Sequence, residues 1–355
     1  MRKFFKITNR VILILLIVLL AQFAYNEYRV NQVDRPYESE HLKPEDKASL
    51  REVSKLKENF GDGIWPGFRQ QELPVILFND RYEFLSGSSQ SPEGWERIKN
   101  DMLMGKHYYR RPADNPQAFA VQTDVGWAGS MSSLSYLNRD ILLTIRDQLP
   151  VPLNRLMPSQ MMVRSNDFHV VSIIHEMFHA YQARNYPEKF GRSLAQANIT
   201  EEYPYEKQRL NKLFTQEGNY LVKALNAEDR EEKLKWVRKF VYTRNRRRKE
   251  MHIEKINYEK FTEWLEGLAK YTEIKAYEVA HNHTDKLAFD YEEGLPHWET
   301  EWNNLEKLGS VGGSSRFYLS GMAQYRLLDQ LSDDWKQQIM NRGIFPETLL
   351  KKMVR

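Results

Sequence analysis

The chain has no cysteine among its 355 residues. A disulfide framework, thiolate metal ligands, a cysteine nucleophile and a lipobox-type lipid anchor are therefore excluded, and any metal centre has to be built from His, Asp and Glu. A surplus of one charge on the folded part is also missing. The formal net charge is +4, and Arg2, Lys3, Lys6 and Arg10 alone account for it. A nucleic-acid binder carries its basic excess on the folded part, so no nucleic-acid partner is expected. No internal repeat or low-complexity tract is present. What the chain does have is apolar residue (41%) and aromatic residue (12%), enough for a sizeable core and unlike a disordered sequence.

Residues 1–10 are a basic tail, and residues 11–25 are apolar apart from Gln22. Basic, then apolar, then polar is the order of an export signal or signal-anchor. Cleavage wants small residues at −3 and −1, and the pairs Leu19/Ala21 and Gln22/Ala24 suit it poorly. The expectation is a single-pass cell-membrane anchor with the bulk outside, the alternative being secretion after cleavage. Residues 26–43 read as a stalk. Pro44-Glu45-Asp46 opens a charged helix to about Phe60, which Gly61-Asp62-Gly63 should end. From residue 65 to 355 a single domain is expected: an α+β, zincin-like fold with a small mixed α/β lobe, then a larger, mainly helical one. Strands are expected at Leu73–Phe78, Ala118–Val121, Met131–Leu137 and Met161–Val163. Helices are expected at 168–185, 204–227, 229–252, 257–279 and 317–331, where apolar residues recur every three or four positions.

His175-Glu176-Met177-Phe178-His179 falls inside the first of these helices. Two histidines four apart project from one helix face about a turn from each other, so both rings can reach one metal ion. Glu176 leaves the helix on a neighbouring line, where it can touch a metal-held water without being a ligand. Ser165 or Asp167 can cap the helix start, and Pro187 closes its end. The competing reading is two histidines on a polar helix face, and a third ligand has to decide between them. The extended pattern HExxHxxGxxH fails, because Gln182 and Asn185 stand where Gly and His would be. A glutamate from a second helix is the other solution, with Glu201, Glu202, Glu217 and Glu266 as candidates.

Glu266 lies in Glu266-Gly267-Leu268-Ala269-Lys270-Tyr271. With the HExxH pentad, this stretch resembles the gluzincin-type zinc metallopeptidases, and within them a group of exported or membrane-anchored bacterial members whose second motif reads E-G-x-A-x-Y. The resemblance covers about residues 160–280. It implies one zinc ion per chain held by His175, His179 and Glu266, with Gly267 and Ala269 keeping the helix surface small for close packing. Some gluzincins carry a carboxylate one turn after the ligand Glu to orient a zinc-bound His; here that position is Lys270, while Glu273, seven residues on, returns to the same face and is the candidate for that job, with simple exposure as the competing reading.

Peptide or protein substrates follow from that chemistry, with Glu176 as general base. Tyr318 or Arg316, behind the glycine-rich loop 309–313, is the candidate donor to a developing oxyanion, with packing on the core as the competing role of Tyr318. The Trp127–Met131 strand is a candidate for pairing with an extended substrate. Arg244, Arg246, Arg247, Arg248 and Lys249 read as a solvated face, and His281 and His283 as surface residues. The alternative function is a non-enzymatic cell-surface module that binds wall polymer or a partner protein.

Overall fold

The computed structural model describes residues 2–33, 40–150, 156, 163–291 and 301–355. Val75–Phe78 (β1) is an unbroken apolar run, as a strand covered on both faces should be. It pairs antiparallel with Tyr82–Ser86 (β2) and parallel with Gly126–Ser132 (β6). Glu96–Arg97 (β3), Tyr109–Pro112 (β4) and Phe119–Thr123 (β5) complete a mixed sheet in the order β3-β4-β2-β1-β6-β5. β5 is the edge strand beside β6, and β6 is paired on both sides. Gly129 to Met131 are taken by β1 and Trp127 to Ser130 by β5, and the expectation that Trp127–Met131 accepts a substrate strand is corrected: the edge beside it is β5.

Three sequence expectations about elements also change. The helix Pro44–Ile64 (α2) runs through Gly61-Asp62-Gly63, because Gly61 is where the next turn of chain comes close: a Cβ there would lie 3.0 Å from the Arg69 backbone. The stretch expected as a strand at 131–137 splits at Ser133. β6 ends at Ser132, and Leu134–Gln148 (α3) is a helix whose first free N–H, on Leu134, is taken by the Asp46 carboxylate at 2.9 Å. That cap comes from 88 residues away, so no local pattern announces it. The N-terminal helix Arg2–Val33 (α1) continues eight residues past the apolar run into the expected stalk. The candidate strand 161–163 begins outside the described residues, and Val163 is a bend.

Five helices match their periodicity, Asn166–Asn185 (α4), Gln208–Asn226 (α6), Arg230–Arg248 (α7), Ile253–His281 (α8) and Ser315–Leu331 (α9), and Pro187–Ala195 (α5) is a helix the sequence reading did not expect. Trp335–Ile339 (α10) and Pro346–Met353 (α11) follow. α4 lies on the sheet so closely that a Cβ on Gly129 of β6 would stand 2.6 Å from the backbone nitrogen of Met177. α8 crosses α9 at Gly267 and Gly321, where an added Cβ would meet the other backbone at 2.7 Å. A continuous core joins the sheet, α2, α4 and the helical lobe.

The basic stretch on α7 is only partly a solvated face. Arg246 and Lys249 are exposed, but Arg244, Arg247 and Arg248 are buried. Their spacing of three and four puts them on the inward line of the helix. There Arg244 meets Glu217 (2.9 Å) and Glu263 (2.7 Å), Arg247 meets Glu217 (2.6 Å) and Glu259, and Arg248 meets Glu259 (2.7 Å) and Glu347. His281 and His283 are half-buried; the His283 ring packs on Phe60 and donates from Nδ1 to the Val279 carbonyl at 2.8 Å.

Candidate metal centre

The buried face of α4 carries His175 and His179, and α8 brings Glu266 against them. Glu266 Oε2 stands 3.2 Å from Nε2 of His179 and 3.7 Å from Nε2 of His175. The three ligand atoms lie within 4.8 Å of one another, and the group can hold a metal ion. The other candidate third ligands go elsewhere. Glu217 is bound to Arg244 and Arg247, and Glu201 and Glu202 are exposed in the turn before Pro204.

Each ring is fixed from behind. Nδ1 of His179 donates to Oε1 of Gln182 at 2.9 Å, while the Gln182 amide donates to the carbonyls of Trp264 (3.1 Å) and Leu265 (3.2 Å) on α8. Nδ1 of His175 donates to Oε2 of Glu273 at 3.1 Å. Both Nδ1 atoms are thus committed as donors, which leaves Nε2 as the nitrogen of each ring that faces Glu266 and that a metal would take. Glu273 is buried against His175, so of its two sequence readings the orienting carboxylate holds and the exposed acid does not. Lys270 at 2.8 Å and His175 hold it ionised against the cost of burial, down to about 2.

The electrostatics agree with a cation site. Burial opposes the charge of Glu266, yet His179 and His175 hold its carboxyl far below the usual range. Burial also opposes a proton on His175, but Glu266, Glu273 and Glu176 raise it to about 10, so a metal entering between the rings displaces a proton. Glu176 is pushed upward, first by burial, with Glu266 and Glu273 adding and the histidines opposing. Its Oε2 is buried with no hydrogen-bond partner among the described residues. A buried acceptor left over beside two imidazoles and a carboxylate is where a metal-held water would be met. Two imidazoles and one carboxylate, with no sulfur, also form a donor set that suits zinc.

A cleft of about 240 Å³ opens beside Glu266, lined among others by Phe119, Leu194, Tyr258, Leu265 and Tyr318. Tyr318 is half-buried there instead of packing into the core; burial and the neighbouring Glu266 carboxylate push its phenol far up, so it stays a donor. Arg316 is not at the site. It is buried behind the glycine-rich loop, donating to Val311 O (2.8 Å) and Asn211 (3.0 Å), with its plane over Tyr205 and Phe214. Phe119 of β5 lies 4.6 Å from the His179 ring, so the free sheet edge runs past the ligands. Sequence reading missed Phe119 and the purchase of Gln182. A glutamine three residues after His179 was the only local signal.

At the other end of the chain, the apolar stretch Val11–Tyr28 is a helix long enough to cross a membrane and hardly buried, compatible with an anchor or a signal sequence. Comparison with protein-family models, with curated proteins and with solved structures finds no match to this chain.

Proposed function

We propose that the chain is a zincin-like zinc metallopeptidase, held at the membrane by α1 with its catalytic domain outside. The observation that carries this reading is the convergence of two Nε2 atoms and Glu266 Oε2 around one point, with Glu176 Oε2, which has no partner among the described residues, alongside. His175, His179 and Glu266 would hold one zinc ion, which supplies a Lewis acid for a carbonyl oxygen and lowers the pKa of water toward about 7.

The chain's own residues supply the rest. Glu176 accepts the proton of the attacking water and returns it to the leaving amine nitrogen. The Tyr318 hydroxyl donates to the carbonyl oxygen as charge builds there. β5 offers backbone donors and acceptors to an extended peptide, which explains how a protein substrate is presented past Phe119. Four basic residues in the first part of α1, ahead of its apolar stretch, favour the inner side of the membrane for the N-terminus.

The purified protein should contain one zinc per chain. Glu176→Gln should retain it while lowering peptide hydrolysis by about 10²- to 10⁴-fold. His175→Ala, His179→Ala and Glu266→Ala should each lose the metal. An unchanged zinc affinity in Glu266→Ala, or full hydrolysis by Glu176→Gln, would overturn the reading. A metal-free wild type with no hydrolysis would favour a binding module.

A further inference from the structure

Behind His175 the ion chain does not end at Glu273. Its Oε2 takes the His175 Nδ1–H, and its Oε1 takes Lys270 Nζ at 2.8 Å. Lys270 in turn meets Glu301 at 3.2 Å, in a short helical stretch at residues 301–306. The Lys270, Glu273 and Glu301 side chains are all largely shielded from solvent, at 13%, 9% and 16% exposure. A lysine drawn this far out of water is normally forced toward neutrality, but here the two carboxylates outweigh burial and hold its pKa above the ordinary value.

We propose that Lys270 is a positioning residue for the metal centre: its ammonium, clamped between Glu301 and Glu273, holds the Glu273 carboxylate against Nδ1 of His175 and so aims the other nitrogen of that ring. The inference rests on the metallopeptidase reading above and adds a layer to it. The argument is geometric. A carboxylate with only one of its oxygens bound can rotate about its last side-chain bond, whereas one bound at both is fixed in plane and in direction. Lys270 supplies the second bond. Without it, Glu273 and Glu301 become neighbouring buried anions with no cation between them, and like charges in a poorly solvated site separate. The His175 ring would then lose the support that directs its Nε2 toward the metal.

Outer partners of this kind typically weigh about 10- to 100-fold in metal affinity. Zinc affinity, read by competition with a chromophoric chelator, should therefore fall about tenfold or more in Lys270→Met. The visible absorption of the cobalt-substituted protein should change with it, because the ligand field follows the ring. Glu273→Gln should lose a comparable amount. The double variant Lys270→Met/Glu273→Gln should be no weaker than Glu273→Gln alone, since Lys270 acts through that carboxylate. Lys270→Arg should restore most of the affinity.

A folded Lys270→Met with a lower melting temperature but unchanged zinc affinity and cobalt spectrum would overturn the proposal, leaving Lys270 a packing residue. Losses that multiply in the double variant would overturn it equally. Should Lys270→Met fail to fold, Glu301→Gln, which loosens only the far end of the clamp, should show a smaller loss in the same direction; no loss there overturns the proposal. Failure of the wild type to bind zinc at all would instead sink the metallopeptidase reading.

Discussion

Gln182 has only one workable amide orientation: its nitrogen serves two carbonyls of α8, so its oxygen must face His179. Sequence shows a polar residue one turn past a histidine and cannot say that both ends of it are buried. Glu273 is the same case. An acid on a helix face reads as solvated until its partners are known, and those are His175, 98 residues earlier, and Lys270. Single residues also set the response to acid. Burial pushes His169, bound to Ser132 O and Ser49, from 6.5 down to about 4. The unfolded chain therefore takes up that proton first, and stability is lost as pH falls from about 6.5 to 4. Burial pushes Asp46 the other way, from 3.8 to about 6, so the folded chain takes up its proton first and stability is gained between about pH 6 and 4. Each shift is about two pKa units, on the order of 3 kcal/mol, and the two slopes oppose each other. Urea melts across that window should show Asp46→Asn losing stability as pH falls and His169→Gln gaining it. A parallel shift of both variants would contradict the assignment.

Among the elements, the helices of the C-terminal lobe were legible because their apolar residues recur at helical spacing and Pro187, Pro204, Asn226 and His281-Asn282-His283 punctuate them. α3 was not, since its start depends on the distant Asp46 and its first residues also suit a strand. The HExxH helix was legible in full, but its depth was not. Gly129 admits its backbone against the sheet, and a glycine in a strand looks the same whether or not a helix sits on it. The α8–α9 crossing makes a similar demand. Gly321→Ala places a methyl group 2.7 Å from the carbonyl oxygen of Glu263, and backbone on both sides leaves nothing flexible to give way. Denaturant unfolding should show a loss of about 1–3 kcal/mol, the usual range for overpacking. A neutral substitution would mean that the helices are further apart than described.

For the whole molecule, the apolar N-terminal stretch and the rest of the chain are separable in the sequence by composition alone, and the structure leaves α1 hardly buried over its apolar stretch. Deleting residues 1–33 should give a water-soluble protein with the same zinc content and melting temperature as the full chain. The full chain should partition into detergent. A large drop in melting temperature on truncation would show that α1 belongs to the core. The ion network of α7 was illegible at this scale for a plain reason: arginines at 244, 247 and 248 look like surface charge until α6, α8 and α11 close over them with Glu217, Glu259, Glu263 and Glu347.

One line along α8 ties these scales together. Glu259, Glu263, Glu266, Lys270 and Glu273 follow each other by four, three, four and three residues, so they share a stripe. The first two hold arginines, the third faces the histidines and the last two brace one of them. The helix is therefore phased as a unit. Inserting one alanine after Leu268 would turn everything beyond it by about 100° while leaving composition, length and charge almost untouched. Glu266 would keep its arginine-bound neighbours, but the brace behind His175 would point away. The buried residues beyond Leu268, among them Tyr271, Ile274 and Tyr277, would leave the core with it, so the outcome should be a protein of lower melting temperature that takes up zinc weakly.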